Sequence, residues 1–398
     1  MNGEDPLTDM QLSTADRRDT QDHDNVSVVA VTTKQEQKAF MNFPWKLYKN
    51  DPNWTPPIRF IQNQLLNFRP HPFYQNAEIQ TFLAKRNGEI VGRIGAIIDH
   101  GHNRFYSEQR GMFGFFESID DVNVSNRLFD AAREWLTQKG MTCLRGPVNP
   151  SMNYECGMLI DGFDSPATFM MTYNPPYYPR LVEAYGFKKA QDLLSFWGHV
   201  SMLDTLDPKI KRVTEEAAKR LNVTIRQIDR KAFNQEVHRF MEIYNLAVNG
   251  NWGFVPMSPE EIEKTAKGLK SLVVPSLTSV AEVNGKTVGF ILGLLDYNPI
   301  IKKIDGRLFP FGFLRLFFER KSIVRLRLIS TNIAPEYQKW GLVMVLLQDL
   351  LDRSIKLGHL TEAEFSWVLE SNVLSRGSLE RGGAKVTKTF RIYDFDWT

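Results

Sequence analysis

Cysteine is nearly absent from this 398-residue chain: Cys143 and Cys156 are the two it holds. Two thiols cannot build a disulfide framework, and their spacing is not that of a metal site, so a reducing, cytoplasmic setting is expected. Long hydrophobic runs are missing as well. No stretch approaches the ~18 apolar residues of a spanning helix, and no apolar segment follows an N-terminal basic region, so neither a membrane span nor a signal peptide is expected. Charge of one sign is also in short supply. With 49 Lys and Arg against 46 Asp and Glu the net charge is +3, too weak for a nucleic-acid-binding surface. It leaves room for an anionic ligand or an anionic membrane. Asp99-His100-Gly101-His102 places two histidines together, but no further ligand stands at a fixed spacing from them, so no metal is expected.

What is present is an ordinary globular composition, 42% apolar and 24% charged, in a chain long enough for two domains. Residues 1–25 are polar and without periodicity and read as a mobile tail. Beyond them the chain repeats itself. A hairpin with Asn87-Gly88 at its turn, the strongest short-range hairpin signal, has a twin at Asn284-Gly285, and Gly92 and Asp99 recur as Gly289 and Asp296 at the same offset of 197. Glu183, Gly186 and Lys188 return as Glu380, Gly383 and Lys385, again at 197, whereas the helix-ending Gly140 and Gly358 differ by 218. An offset that rises and falls back means two equivalent halves with one insertion in each. The expected units are 26–200 and 222–398, joined by a helix over 201–221. Each reads as strand, helices, hairpin, strand, helix, strand, helix, strand: a mixed, mostly antiparallel sheet flanked by helices, an α/β class.

The second half carries the sharpest local feature. Val324 to Ile329 alternates apolar and charged residues, which predicts a half-exposed strand. Val343, Leu346, Leu347, Leu350 and Leu351 recur at helical spacing. Between them, Gln338-Lys339-Trp340-Gly341-Leu342-Val343 reads as a turn opening a helix, where free N–H groups and the positive dipole end suit a phosphate. The equivalent stretch of the first half, Glu117 to Asn123, is acidic and should repel one.

This order of elements, over residues 26–398, resembles the GNAT acyltransferase superfamily, whose turn motif Gln/Arg-x-x-Gly-x-Gly/Ala matches Gln338 and Gly341 and departs at Val343. The resemblance implies an acyl-coenzyme A with its pyrophosphate on the amides of residues 338–343, Asn372 on the pantetheine arm, and backbone amides at Asn332 and Ile333 for the oxyanion. The thiolate-protonating tyrosine of that family has no match after Asn372, where Ser375 and Ser378 stand. The first half keeps Asn174, Tyr177 and Tyr178, so Tyr178 is the candidate acid, lent across the cleft. Glu370 and Glu155 are the candidate bases, since an alkylamine with a pKa near 10.4 is protonated at neutral pH. Asn153, Tyr154, Asn251 and Trp252, on two polar loops, are candidate substrate contacts, as is Asn174; the same loops also read as plain surface turns.

Arg145-Gly146-Pro147, Asp161-Gly162-Phe163 and Tyr177-Tyr178 further resemble the bacterial ceramide synthase group, which implies transfer of a long-chain acyl group to a sphingoid base, a lipid amine. The second-half insertion fits a lipid reaction: residues 308–318 hold five Phe and three Leu between Lys and Arg, a pattern for a membrane interface, though a buried connector or dimer contact reads equally well. Acetylation of a small soluble amine, aminoacyl transfer from a charged tRNA, and a non-catalytic acyl-coenzyme A or lipid-binding role stay open. Monomer and dimer are equally compatible with the sequence.

Overall fold

The computed structural model describes residues 25–205, 208–248 and 251–397. Apart from Asn25, the tail expected to be mobile lies outside them, as do Asn249 and Gly250.

In chain order the first half comprises β1 (Val26–Ala30), α1 (Lys34–Leu47), α2 (Arg59–Leu65), β2 (Ala77–Arg86), β3 (Glu89–Asp99), α3 (His100–Tyr106), β4 (Arg110–Ser118), α4 (Val122–Gln138) and β5 (Cys143–Gly146). Three short strands, β6 (Val148–Asn149), β7 (Glu155–Cys156) and β8 (Met158–Asp161), then lead to α5 (Tyr178–Tyr185) and β9 (Lys188–His199). A helix α6 (Pro208–Leu221) opens the second half, followed by β10 (Thr224–Arg226), α7 (Phe233–Val248), α8 (Pro259–Leu269), β11 (Thr278–Val283), β12 (Lys286–Leu295), α9 (Asn298–Lys303) and α10 (Gly312–Phe318). It closes with β13 (Arg325–Ile333), α11 (Leu342–Lys356), β14 (Glu362–Leu369), α12 (Val373–Arg381) and β15 (Lys385–Asp396).

The duplication is visible in the backbone. Both hairpins turn through an Asn-Gly pair at positive φ, 51° and 80° at Asn87-Gly88 and 52° and 75° at Asn284-Gly285, the geometry that a two-residue primed turn demands. Each β2-type strand carries a register shift at the same place, after Ala84 and after Ala281. The helices also correspond. α4 buries Val124, Leu128, Phe129, Ala132 and Leu136, and α11 buries Leu342, Val345, Leu346 and Leu350. At about 1.5–3 kcal/mol per fully buried apolar side chain, these stripes fix each helix on its sheet.

The two halves do not close separate sheets. Among the described residues the strands run β1-β2-β3-β4-β5-β15-β9-β14-β13-β12-β11-β10 in a single 13-stranded sheet, with β8 alongside β15. The last strands have changed places. β15, from the second half, pairs antiparallel with first-half β5, while β9, from the first half, pairs antiparallel with second-half β14.

Each half also contains one parallel pair that splays. β13 and β14 are in register from Arg325 opposite Glu362 to Leu328 opposite Phe365 and then separate, β13 staying with β12 and β14 with β9. A bulge at Ile329 sharpens the divergence, since Leu292 faces Ser330 but Gly293 faces Leu328. β4 and β5 likewise part after Met112 and Arg145. The two resulting wedges are alike in backbone and opposite in content.

Candidate active site

A cavity of about 1420 Å³ crosses the wedge between β13 and β14, larger than the roughly 300–1,000 Å³ of common ligand pockets. To one side it runs under α7 and α8, where Phe233, Phe240, Ile262, Leu269, Val273 and Phe290 make an apolar chamber. To the other it runs between α11 and α12, past Met344, Leu347, Leu374, Ser375 and Ser378. Thr331, Asn332, Ile333, Ser366 and Trp367 line the middle.

The turn after β13 is a 3₁₀ segment, Pro335–Trp340, ending at Gly341 with φ 77° and ψ 9°, and Gly341 is also the residue preceding α11. A left-handed residue there is easiest as glycine. With no side chain at that position, the first-turn amides of Leu342 and Val343 have no cap, as helix geometry leaves them. Gln338 is turned inward and donates from Nε2 to the Ile333 carbonyl at 3.2 Å, which fixes the turn. Lys339 and Val343 line the cavity, Leu342 is in the core, and Trp340 lies under the Arg220 guanidinium of α6, 4.4 Å from its ring centre. Ala334 donates its N–H to Val288 on β12. Because amides alternate sides along a strand, the Asn332 N–H also faces β12, and those of Thr331 and Ile333 face the wedge. Of the two amides predicted as oxyanion donors, Ile333 is therefore the one directed into the cleft; the Asn332 side chain turns to Ser330.

The first-half wedge is filled by the protein itself. The Asp121 carboxylate accepts from the amides of Asn123 and Val124 at the start of α4, at 2.8 and 3.5 Å, and pairs with Arg86. An internal anion thus occupies the place that Gly341 leaves open. Deeper in, Asn149 Oδ1 accepts from the Phe115 N–H at 2.7 Å. Tyr178 completes the plug: it is 1% exposed, donates to Glu117 Oε2 at 2.7 Å and accepts from the Ser118 N–H at 2.9 Å. Tyr48 donates to the same Glu117 oxygen, and Arg93 stands beside the other. Burial raises the Tyr178 pKa well above its ordinary value, and Glu117 raises it further. The expectation that Tyr178 protonates a thiolate across the cleft is revised: its hydroxyl is a fixed strut of the first-half core. Tyr178→Phe is expected to lower stability by about 1–3 kcal/mol, through lost hydrogen bonds to buried groups, in chemical denaturation. Turnover per folded molecule should stay within about twofold.

Other predicted residues divide similarly. Asn153, Tyr154, Asn251 and Trp252 line the cavity, with Asn153 donating to Val255 O and Tyr154 donating to Glu261. Asn174 does not; its amide clamps Leu159 from both sides, at 2.7 and 3.1 Å. Asn372 lines the cavity and caps α12 through the Ser375 N–H. Glu370 is held away by Lys189 Nζ at 2.7 Å and the Asp192 N–H at 3.0 Å, so it ties β14 to β9 and is not poised as a base. Glu155 follows the cavity-lining residues 152–154 without itself lining the cavity; its backbone pairs with Asn149, and among the described residues its carboxylate makes no hydrogen bond or ion pair. Burial pushes its pKa up to about 7, against the pull of Arg327.

Three residues that sequence reasoning passed over belong to the site. Arg327 was expected on the exposed side of its strand; it is 5% exposed, lines the cavity and donates to Ser366 and to the Phe169 carbonyl. The segment covering it, residues 167–170, comes from the other half, so local alternation carried no sign of it. Tyr244 of α7 donates to Asn153 Oδ1 at 3.1 Å, and Glu364 accepts from Thr168 and Ser366 beneath the cavity floor. His100 and His102 are taken up by Glu78 and Glu108. Among the described residues no cluster fit for a metal occurs, and no helix is long and apolar enough to cross a membrane.

A splayed parallel pair beside a helix that opens on glycine, occurring in a duplicated α/β frame, defines a tandem GNAT fold. The frame matches a tandem GNAT protein from the clavulanic acid biosynthesis pathway, with a TM-score of 0.56 at 11% identity over 94% of this chain and 98% of that one. It also matches a GCN5-related glucosamine N-acetyltransferase region of a fungal multi-domain protein, at TM-score 0.53 and 13% identity over 93% of this chain and 38% of that one. The chain belongs to the family that includes protein YghO of Escherichia coli (strain K12) and the bacterial ceramide synthase of Caulobacter vibrioides (strain NA1000 / CB15N). It is 36% identical to the former over 366 residues, 91% of this chain and 93% of that protein, and 34% identical to the latter over 381 residues, 93% and 97%. No protein-family model matches the chain.

Proposed function

We propose that this chain transfers a long-chain acyl group from acyl-coenzyme A to the amine of a sphingoid-type long-chain base. The observation that carries the reading is the cavity itself: one continuous space joins an uncapped helix start to a deep apolar chamber. The bacterial ceramide synthase among its relatives supports the choice of acceptor.

The residues present fit the co-substrate. The Leu342 and Val343 amides and Lys339 would hold the pyrophosphate, the Thr331 amide an extended pantetheine arm, and the α7–α8 chamber a hydrocarbon tail. When bound, the thioester supplies a carbonyl open to attack by an amine. Glu155 takes a proton from the ammonium, the Ile333 N–H steadies the carbonyl oxygen, and Arg327 keeps the wall beside Glu155 positively charged. A C–N bond forms and the C–S bond breaks. Ser375, whose hydroxyl makes no hydrogen bond among the described residues and which lines the cavity, relays to the sulfur the second proton that the nitrogen gives up as the amide forms, so that the thiol leaves neutral and the serine is restored.

Thiol release from acetyl- and palmitoyl-coenzyme A, each with and without a long-chain amino alcohol, tests the reading. Four buried methylenes already amount to about 3 kcal/mol, so palmitoyl transfer should exceed acetyl transfer more than about a hundredfold in kcat/KM. Efficient acetyl transfer to a small amine would replace the lipid reading. An absence of release under every condition would leave a binding protein.

A further inference from the structure

The second-half insertion presents an apolar face. Phe309, Phe311 and Phe318 are 70%, 72% and 81% exposed, and Phe313, Leu314 and Phe317 beside them are exposed too. The segment is nevertheless anchored: Leu316 is buried in the second-half core and Leu308 packs against it. The face continues onto α2, where Phe60 and Ile61 are exposed. Arg59 at the start of that helix donates its N–H to Gly306 O, pairs with Asp305 at 3.0 Å, and stacks on Trp45. A contiguous apolar surface of this kind on a folded protein marks an interaction site.

Charge selects the occupant. Lys302, Lys303, Arg307, Arg315, Arg320 and Lys321 flank and punctuate the phenylalanine segment, with only Asp305 and Glu319 of opposite sign between residues 302 and 321, and Arg320 lies over the Phe317 ring at 4.5 Å. Each of those acids is already shared by two or more cations, Asp305 by Arg59 and Arg307, Glu319 by Lys303 and Arg315. The rim is therefore net positive. Arg320 also donates to the Ser271 carbonyl, between Leu269 and Val273 of the chamber wall, so the segment that bears the apolar face is tied to the loop that borders the chamber.

We propose that this face docks onto the headgroup region of an anionic phospholipid bilayer. The phenylalanine rings enter at the acyl boundary and the rim cations meet the phosphates. The docking is independent of which amine is acylated, and it is measured without turnover.

The test is co-sedimentation of the full chain with phosphatidylcholine vesicles, with and without phosphatidylglycerol. The wild type should partition onto the phosphatidylglycerol vesicles. The triple variant Phe309→Ser, Phe311→Ser, Phe318→Ser should partition at least about tenfold less. The pair Arg307→Glu, Lys321→Glu should lose the preference for anionic lipid. All altered side chains are exposed, so melting temperature and thiol release from a short-chain acyl-coenzyme A should be unchanged. Equal partitioning of wild type and triple variant overturns the proposal, as does no partitioning at all. It is overturned equally if the triple variant turns a dimer into a monomer in sedimentation velocity while vesicle binding is unaltered.

Discussion

Glu155→Gln is expected to lower turnover by about 10²–10⁴-fold, the span typical of a lost general base. The variant keeps size and shape at a site where no hydrogen bond depends on the charge, so the loss would reflect proton transfer. In the wild type, kcat/KM should rise with pH along a limb centred near 7, because burial holds the Glu155 pKa up to about 7; this limb should vanish in the variant. Stability should move differently. A carboxyl whose pKa is higher folded than unfolded contributes stability that is full below about 4.5 and is lost as pH rises through about 7. Above that pH the wild type has no such contribution left, so Glu155→Gln should melt no lower. Glu370→Gln is the control: with its carboxylate bound to Lys189 and the Asp192 amide, turnover should change by less than about threefold. The reverse ranking of the two variants would transfer the role of base to Glu370.

Gly341→Asp should weaken coenzyme A binding at least about tenfold, read by calorimetry. The substitution reproduces in the second half what Asp121 does in the first, where a carboxylate sits on the opening amides of α4. It sets a negative charge where the proposed co-substrate would place its pyrophosphate, and like charges at that distance repel by a kilocalorie or more at intermediate dielectric. Gly341→Asn separates charge from shape, since asparagine also tolerates a left-handed backbone. A Cβ there would meet only the Ala217 methyl at 3.5 Å, an ordinary contact, so the asparagine variant should retain most of the affinity. Asn123→Asp, at the sealed first-half helix, should leave binding unchanged. Equal losses in the aspartate and asparagine variants would mean that shape, not charge, governs the turn.

What was legible in the sequence was what is local. The Asn-Gly turns at 87 and 284 declare their backbone, the apolar stripes of α4 and α11 declare their buried faces, and the repeated offset declares the duplication. What was not legible depends on neighbours brought from far along the chain. Arg327 sits on an alternating strand and is covered by residues 167–170 of the other half. Tyr178 shares its offset with Ser375, but its hydroxyl is claimed by Glu117, whose burial in β4 no periodicity announces. Of the two amides named for the oxyanion, that of Asn332 faces β12 and that of Ile333 the wedge, because the ladder to β12 sets the phase of alternation. The exchange of β9 and β15 was hidden for a similar reason: two long strands with comparable patterns do not say which edge each will join.

That exchange bears on how such a chain is inherited. β14 forms one jamb of the wedge, and the strand supporting it, β9, is encoded in the half that has sealed its own cleft. Once the closing strands traded places, neither copy of the ancestral gene could be shed without unframing the other. Cutting the chain between its halves would therefore take β9 from β14 and β15 from β5, so the first half frames the second half's wedge even though its own is filled.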